Sequence, residues 1–313
     1  MALISAEHLT KRFGAVTAVE DLTVEIEPGI VGLVGSNGAG KSTLLKVMLG
    51  LLKATSGGAK VLDLDVVTDA MAIRERVGYM PEHDCLPADV SATEFVVHMG
   101  RMSGLPTTAA RERSADTLRH VGLYEERYRP MGGYSTGMKQ RVKLAQALVH
   151  DPDLVLLDEP TNGLDPVGRD EMLELIRRIG TEFGISVLVT SHLLGELERV
   201  CDTVVVIDGG RLLRHSSTAD MTRSTGVLVV EVDGDPGPLG QLLVRGGVEV
   251  HPDGRLLEVP LDGRDEERVL DLIRDGTVEL DLGLVRLERA RHHMAEMFTG
   301  PSAPAGGPDE QPG

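Results

Sequence analysis

A glycine-rich octapeptide directly after a short apolar run constrains the fold of this chain more than any other feature. The apolar run is Ile30–Val34, and the residues after it are Gly35-Ser36-Asn37-Gly38-Ala39-Gly40-Lys41-Ser42. They match the pattern G-x-x-x-x-G-K-[ST], in which a loop between a buried strand and a helix surrounds phosphate groups with backbone N–H groups. In that pattern Lys41 is placed for the β- and γ-phosphates and Ser42 for Mg²⁺. The context predicts an α/β fold with a mostly parallel sheet.

A second anion site is predicted at the turn Ser135-Thr136-Gly137, about ninety residues further along the chain. This turn opens a basic amphipathic helix, and the free N–H groups and dipole of a helix N-terminus attract anions. The chain therefore has two phosphate sites but only one set of nucleotide-binding motifs. This combination indicates that the second site serves a nucleotide held by another chain.

Two carboxylates and a histidine end two further buried strands. Asp158 and Glu159 follow the apolar run Leu154–Leu157, and His192 follows the strand predicted at Ile185–Thr190. Because ligands of open α/β sheets bind at the carboxyl ends of the strands, we expect these side chains beside the glycine loop. Asp158 is predicted to hold Mg²⁺ and Glu159 to polarise the attacking water, while His192 contacts the γ-phosphate and that water.

The chain is predicted to form two domains and a tail. Residues 1–218 alternate strand and helix patterns, with a helical insertion at about 90–150. Residues 219–300 are predicted to form a small α+β accessory domain, and residues 301–313, with seven Pro or Gly, a disordered tail. The segments predicted in the accessory domain are strands at Val227–Val232 and Leu256–Pro260, and helices at Glu267–Arg274 and Leu287–Phe298.

Composition limits the partners of the chain. The formal net charge of −17 argues against nucleic acid as the main partner, because phosphate contacts need a basic surface. The two cysteines, Cys85 and Cys201, are too few for a disulfide framework and favour a reducing compartment. No apolar run approaches the roughly 20 residues that span a bilayer, so we expect any membrane role to depend on a partner.

Together the motifs resemble those of the nucleotide-binding subunit of an ATP-binding cassette (ABC) transporter. The resemblance covers roughly residues 3–215 and rests on GSNGAGKST, YSTGMKQR, LLDEPTNGLD and the strand-end His192. It implies a P-loop NTPase with an antiparallel β subdomain, a RecA-like core and an inserted helical subdomain. It also implies ATP and Mg²⁺ as ligands, and a head-to-tail pair of cassettes in which each ATP lies between the glycine loop of one and the Ser135 turn of the other.

The resemblance implies a role for each matching residue. Gly35–Ser42 and Thr43 bind ATP, and Ser135 and Gly137 bind the γ-phosphate of the partner's ATP. Asp165 forms the crossing contact between the two sites, and Phe13 stacks on adenine, the alternative for Phe13 being an ordinary core aromatic. The implied catalytic residues are Lys41, Glu159 and His192, and the implied Mg²⁺ ligands are Ser42, Glu82 and Asp158.

Glu82 departs from the family pattern. The family usually has Gln after the strand that here is Val77–Pro81, and that Gln touches Mg²⁺ and relays the nucleotide state to the membrane subunit. A carboxylate also ligates Mg²⁺, and more strongly, but it adds negative charge near the γ-phosphate. Our hypothesis is that Glu82 keeps the metal contact with altered coupling; alternatively, the exchange marks one member of an asymmetric pair.

Two other charged clusters raise the questions of a zinc site and of a basic surface. A zinc site at Glu82-His83-Asp84-Cys85 is disfavoured, because four adjacent residues do not converge on one tetrahedral ion without a special turn. In the basic stripe Lys139, Arg141 and Lys143, only Arg141 is near the Ser135 turn. We therefore expect the two lysines to face solvent.

The form YSTGMKQR, together with TNGLD and an accessory domain of about eighty residues, resembles export-type members that move drugs, antibiotics or lipids. We therefore predict an ATP-hydrolysing subunit on the cytoplasmic face of the cell membrane. Its predicted partners are an integral-membrane permease and a second ATP-binding subunit, equal or different. The alternatives are a soluble ABC ATPase without a transport role, which usually has two cassettes, a coiled coil or cysteine clusters, and an importer ATPase, whose signature is closer to LSGGQ.

Overall fold

The computed structural model describes residues 2–218, 227–261 and 266–289. The chain divides into two compact units, Met1–Thr218 and Ala219–Gly313. In the first unit helices accompany a six-stranded sheet and a four-stranded antiparallel sheet, so the predicted α/β fold is confirmed. The tail predicted at 301–313 lies outside the described residues.

The described part of the first unit contains the following elements. The strands are β1 (Ile4–Phe13), β2 (Val16–Ile26), β3 (Ile30–Val34), β4 (Ser56–Val61), β5 (Leu64–Asp65), β6 (Val77–Met80), β7 (Leu154–Leu157), β8 (Ser186–Ser191), β9 (Thr203–Asp208) and β10 (Arg211–Ser217). The helices are α1 (Lys41–Met48), α2 (Ala70–Arg76), α3 (Ala92–Met102), α4 (Thr107–His120), α5 (Thr136–Leu148), α6 (Pro166–Glu182) and α7 (Leu194–Leu197).

The six-stranded sheet positions the site. Its order is β10-β9-β3-β8-β7-β6, with parallel pairing from β9 to β6 and an antiparallel edge strand, β10. All residues of β3 and β7 are buried, as expected for parallel strands with both faces covered. The carboxyl ends of β3, β6, β7 and β8 therefore lie along one edge, and the segments that leave them carry the predicted site residues.

The antiparallel sheet has the order β2-β1-β4-β5. Its central strand β1 pairs Ile4 with Ile26 of β2 on one side and with Val61 of β4 on the other. These three side chains belong to the same buried cluster as Leu45 of α1 and Leu33 of β3. The antiparallel sheet, β3 and α1 thus share one hydrophobic core. This core fixes the glycine loop, which connects β3 to α1.

Helices α3 to α5 are inserted between β6 and β7. The insertion begins with a capping box, in which the Ser91 hydroxyl accepts from the Glu94 N–H and the Glu94 carboxylate accepts from the Ser91 N–H. It ends with α5, which approaches the parallel sheet closely at Gly78 of β6. A Cβ atom at Gly78 would lie 2.0 Å from the carbonyl oxygen of Ala147 in α5. Only a glycine allows α5 to sit this close to the sheet.

The described part of the second unit, by itself, is a four-stranded antiparallel sheet with two helices. Its described elements are β11 (Val227–Val232), α8 (Gly237–Arg245), β12 (His251–Asp253), β13 (Leu256–Pro260), α9 (Glu266–Glu279) and β14 (Leu284–Arg289). The sheet order is β12-β13-β11-β14, and Leu239, Leu243 and Ile273 of the helices join its buried cluster.

The helix predicted at Leu287–Phe298 is wrong over its described part. Residues 287–289 belong to β14, in which Leu287 pairs with Val230 of the central strand β11. Sheet pairing with a buried neighbour here outweighs the local helical pattern. Residues 290–298 of the predicted helix lie outside the described residues.

Replacing Gly78 with alanine is expected to weaken the packing of α5 against β6. The added methyl group would overlap the Ala147 carbonyl, so Gly78→Ala should lower the free energy of unfolding by about 1–3 kcal/mol. Urea unfolding followed by circular dichroism measures this. The control is Gly58→Ala in β4, where a Cβ atom would meet nothing within 4 Å. Equal stability of the two variants would contradict the close contact.

Candidate functional site

The glycine loop has the backbone conformation of an anion cradle. Gly38 and Gly40 have φ angles of 86° and 100°, in the left-handed region that favours glycine. A Cβ atom at Gly40 would lie 2.1 Å from the carbonyl oxygen of Ala18, so no larger residue fits. Helix α1 begins directly after this residue, at Lys41. The loop therefore lies at a helix N-terminus that follows a buried strand, as the sequence predicts.

Lys41 is held against the loop and against a carboxylate from the neighbouring strand end. Its side chain is buried, and Nζ donates to the carbonyl oxygens of Gly35, at 2.8 Å, and Ser36, at 3.3 Å. Nζ also lies 3.2 Å from Oε1 of Glu159. Two of the three predicted catalytic residues are thus an ion pair at the mouth of the loop.

Asp158 is buried at the end of β7 and accepts two hydroxyl hydrogen bonds at one oxygen. Its Oδ1 accepts from Ser42 Oγ at 3.1 Å and from Thr190 Oγ1 at 3.0 Å. The Tyr79 phenol points to Oδ2 at 3.5 Å, and burial together with the Asp158 charge raises the pKa of Tyr79. That phenol therefore stays protonated and keeps its donor role toward Asp158.

Thr190 of β8 joins the carboxylate of Asp158 to the backbone of Glu159, a role that the sequence did not indicate. Besides donating to Asp158, its hydroxyl oxygen accepts from the Glu159 N–H at 2.9 Å. Thr190 is fully buried. The available signal was a hydroxyl residue directly after the apolar run Val187–Val189 of this strand, but the pattern does not identify its partners.

Glu159 combines burial, backbone strain and few partners. Its φ angle is 49°, uncommon for a residue with a side chain, and such a conformation costs roughly 1–3 kcal/mol. Its Oε2 lies 2.9 Å from Nδ1 of His192, whose side chain is 40% exposed. Its Oε1 is buried and has no hydrogen-bond donor among the described residues, only the Lys41 ion pair. A strained, poorly satisfied carboxylate facing a histidine is typical of a catalytic position.

The donors present fit a Mg²⁺ ion bound together with phosphates. Ser42 Oγ and the Asp158 carboxylate lie 3.1 Å apart, and Glu82 lines the same cavity of about 320 Å³ as Asn37–Thr43 and Glu159. These are hard oxygen donors, and Mg²⁺ is usually held by one or two carboxylates plus substrate phosphates and water. Glu82 is oriented by Asn162, whose Nδ2 lies 3.4 Å from its Oε1.

The Ser135 turn lines a different cavity. Ser135 caps α5 by accepting from the Met138 N–H at 3.3 Å. With Gly137 and Asp165 it lines a cavity of about 500 Å³ that shares no lining residue with the cavity of the glycine loop. A Cβ atom at Gly137 would meet only ordinary contacts, the nearest with Leu164 at 3.8 Å. The fold of this chain therefore does not need a glycine there.

Asp165 and Phe13 each make contacts within the chain itself. Asp165 caps α6, and its Oδ1 accepts from the Gly168 N–H at 2.8 Å. Phe13 ends β1, is 46% exposed, and has Lys11 Nζ 4.7 Å from its ring centre. It is therefore not a core aromatic. The structure does not place it among the residues that line the cavity of the glycine loop.

The expectation that Lys143 faces solvent is wrong. It is 3% exposed, and burial lowers the pKa of its ammonium group. Its Nζ donates to backbone carbonyl oxygens of the loop that carries Glu82, at 2.7 Å to Pro81 and 2.8 Å to Glu82. Lys139 is half-exposed and pairs with Asp84 of the same loop at 2.7 Å.

Comparisons with known proteins agree with this geometry. The family profile described as "ABC transporter" matches residues 19–162. The chain is 39% identical over 211 residues to the uncharacterised ABC transporter ATP-binding protein YxlF of Bacillus subtilis, covering 67% of this chain and 69% of that one. It is 34% identical to the daunorubicin resistance ATP-binding protein DrrA3 of Streptomyces coeruleorubidus, over 84% of both chains. A solved structure of cbiO1 from Clostridium perfringens, part of the ABC transporter complex cbiONQ, is 27% identical with a TM-score of 0.64, over 70% of this chain and 90% of that one.

Removing the Thr190 hydroxyl is expected to destabilise the fold from within the site. Thr190→Val keeps the shape but leaves the Glu159 N–H and Asp158 Oδ1 each short of a buried partner, which should cost about 1–3 kcal/mol of unfolding free energy. Urea unfolding gives the value. Thr181→Val is the control, because the Thr181 hydroxyl bonds the Arg177 carbonyl at the exposed surface and its loss should stay within about 0.5 kcal/mol. A stable Thr190→Val variant would contradict the bridging role.

Proposed function

Because this chain belongs to the family of ABC transporter ATP-binding proteins, we propose that its ATPase activity powers an exporter and that its residues divide the work between two half-sites. The observation that carries the proposal is the separation of the two phosphate-binding cavities. The glycine loop lines one cavity with Glu159, and Ser135 and Gly137 line another. Each chain then holds half of each of two nucleotide sites.

One half-site binds the nucleotide. Gly35–Ser42 and Thr43 would surround the phosphates with backbone N–H groups at the start of α1, and Lys41 would exchange its loop carbonyls for phosphate oxygens. Phe13, with its exposed ring at the end of β1, would stack on the base. Ser42, Asp158 and Glu82 would hold Mg²⁺, which neutralises phosphate charge when bound.

Glu159 is the proposed general base, because it is buried at the end of β7 and its Oε2 faces His192. It would take the proton of the attacking water, and its strained backbone fixes the carboxylate in place. His192 would hold that carboxylate through Nδ1 and leave its other ring nitrogen for the γ-phosphate or the water. Lys41 would stabilise the charge that develops on the phosphate oxygens.

The other half-site would bind the nucleotide of a second cassette. Ser135 and the uncapped N–H groups of the first turn of α5 form an anion site, and Gly137 leaves the approach open. Asp165 lines the same cavity and would make the contact that crosses between the two sites. ATP would then join two cassettes head to tail, and hydrolysis would separate them.

Export through a separate permease is the proposed role of this motor. The relative DrrA3 is named for daunorubicin resistance and aligns over 84% of both chains, so the alignment extends beyond residues 1–218. No described helix is long and apolar enough to cross a membrane. On the family membership of the chain, we propose a peripheral subunit at the cytoplasmic face, bound to an integral-membrane permease and to a second ATP-binding subunit. Its cargo would be a drug, antibiotic or lipid-like compound.

Glu159→Gln is expected to trap the closed pair. The amide cannot take a proton from water, so turnover should fall about 10²–10⁴-fold while ATP is still bound. With ATP and Mg²⁺ the variant should elute as a dimer in size-exclusion chromatography, and without nucleotide as a monomer. Normal turnover in this variant would remove Glu159 from the reaction.

The same background tests the second half-site. Adding Gly137→Asp to Glu159→Gln should abolish the ATP-dependent dimer, because a carboxylate would replace the open approach to the N-terminus of α5. Binding of a fluorescent ATP analogue to the monomer should persist. A dimer that survives Gly137→Asp would contradict the two-half-site arrangement.

Lys41→Ala is expected to lower ATP turnover about 10²-fold, because the ammonium group that stabilises charge on the phosphates is lost. A coupled phosphate-release assay measures it. Lys46→Ala is the matched control, since Lys46 lies on the same helix α1 with an exposed side chain. Equal rates for wild type and Lys41→Ala would contradict the assignment of the glycine loop.

A further inference from the structure

Lys143 is a buried lysine whose ammonium group binds only backbone. Its Nζ donates to three consecutive carbonyl oxygens, those of Pro81 at 2.7 Å, Glu82 at 2.8 Å and His83 at 3.5 Å. An ammonium group has three donors, so this arrangement uses all of them, the third weakly. Lys143 reaches the loop from α5, the helix that begins at the Ser135 turn. We call residues 81–84 the acidic loop.

Packing explains why the aliphatic part of this side chain is buried, but it does not explain why its charge is buried. Lysine is rarely buried unless it is paired, and Lys143 forms no salt bridge with any residue in the described part of the chain. A methionine of similar length would fill the same space without desolvating a charge. What the ammonium group adds is the set of hydrogen bonds that fix the backbone of the acidic loop.

Two further contacts lie between the same face of α5 and the neighbourhood of the acidic loop, one an exposed ion pair and the other a hydrogen-bond chain to Glu82. Lys139, one turn before Lys143, pairs with Asp84 at 2.7 Å. Gln140 Nε2 donates to the Asn162 carbonyl at 3.0 Å, and Asn162 Nδ2 reaches Glu82 Oε1 at 3.4 Å. The backbone of Glu82 is thus fixed by Lys143, and its carboxylate is oriented through Asn162.

The charge of Lys143 also opposes the charge of Glu82. A carboxylate at position 82, where the family usually has a neutral Gln, adds a negative charge beside the glycine-loop cavity. Lys143 brings a buried positive charge to the backbone of that same residue. In a buried environment this attraction is screened far less than it would be at the surface.

We infer that Lys143 is a positioning residue that holds Glu82 for the Mg²⁺–nucleotide complex and ties the acidic loop to the helix of the Ser135 turn. The inference rests on the proposed function, because it takes Glu82 as a metal ligand. One end of α5 serves the partner's nucleotide, and Lys143 on the same helix fixes a ligand at the chain's own nucleotide. A shift of α5 therefore moves Glu82 with it.

The test is the affinity for a fluorescent ATP analogue, measured with excess Mg²⁺ and again with EDTA. Lys143→Met should reduce the Mg²⁺-supported affinity about tenfold, the low end of the effect of losing a partner that orients a metal ligand. Its affinity in EDTA should equal that of wild type. Lys139→Met is the matched control on the same helix and loop, and its exposed ion pair should change neither value beyond about twofold.

Two additional variants keep the test decisive. Lys143→Gln retains neutral hydrogen-bond donors. If Lys143→Met does not fold, Lys143→Gln tests the same loss of Mg²⁺-supported affinity, which should be smaller than about tenfold. In the Glu82→Ala background, Lys143→Met should cause no further loss of Mg²⁺-supported affinity, because the ligand it positions is absent. Without nucleotide, peptides that cover the acidic loop should exchange amide hydrogen faster in Lys143→Met than in Lys139→Met.

The outcomes separate the inference from the function it rests on. If Lys143→Met loses the same amount of nucleotide affinity with Mg²⁺ and with EDTA, Lys143 has only a structural role and the inference is overturned. Unchanged affinity in Lys143→Met, or a further loss in the Glu82→Ala background, would overturn it as well. If instead Glu82→Ala keeps the full Mg²⁺-supported affinity, the assignment of Glu82 as a metal ligand fails first, and the positioning role fails with it.

Discussion

The parallel pairing of β3, β8 and β7 is the constraint on which the site depends. Val34 pairs with Ser191, and Leu157 pairs with Val189. This register brings the glycine loop, the Asp158–Glu159 pair and His192 out of the sheet at the same edge. A slip of one residue would turn every side chain of a strand to the opposite face. Because both faces of β3 and β7 are buried, such a slip would have to repack the side chains on each face. The packing of the core and the geometry of the phosphate site are therefore specified by the same contacts.

Features that cost stability are concentrated at this edge of the sheet. Glu159 has a positive φ and a buried oxygen with no hydrogen-bond donor in the described part of the chain, and Lys41 is buried beside it. Asp158 is buried too, and hydroxyl groups from α1 and β8 satisfy one of its oxygens. Each of these features would be a defect in a structural core. Together they form a preorganised electrostatic site, which the surrounding apolar strands and helices stabilise.

The sequence predicts the elements well where one local signal decides, and less well where distant contacts decide. Strands β3, β7, β11 and β13 have the predicted bounds, because short apolar runs between turn residues suffice to identify them. Helix α8 was not predicted: Gly237 and Gly240 lower its intrinsic helix propensity, and burial of Leu239 and Leu243 compensates. Residues 287–289 form a strand because β11 offers them a partner, and no local pattern reports that.

The candidate site follows the same rule. Motif residues such as Lys41 and Glu159 are found from spacing alone, because phosphate binding fixes their neighbours along the chain. Thr190 and Lys143 are not, because their partners lie 32 and about sixty residues away in sequence. Lys143 is especially hard to predict, since a lysine four residues after Lys139 has the spacing of a solvated helix face. Only the position of the acidic loop shows that this face is covered.

The two proposed half-sites would give α5 a role in each. Its N-terminus lines the cavity of the Ser135 turn, and three of its side chains, Lys139, Gln140 and Lys143, contact the acidic loop or Asn162. Gly78 lets the last turn of the same helix lie against β6, the strand that leads into the acidic loop. These contacts tie α5 both to the acidic loop and to the strand that precedes it. Closure of the Ser135 turn on a partner's phosphate would therefore displace Glu82 through hydrogen bonds and an ion pair within one chain. Because the residue at position 82 is charged, that link is electrostatic as well as steric.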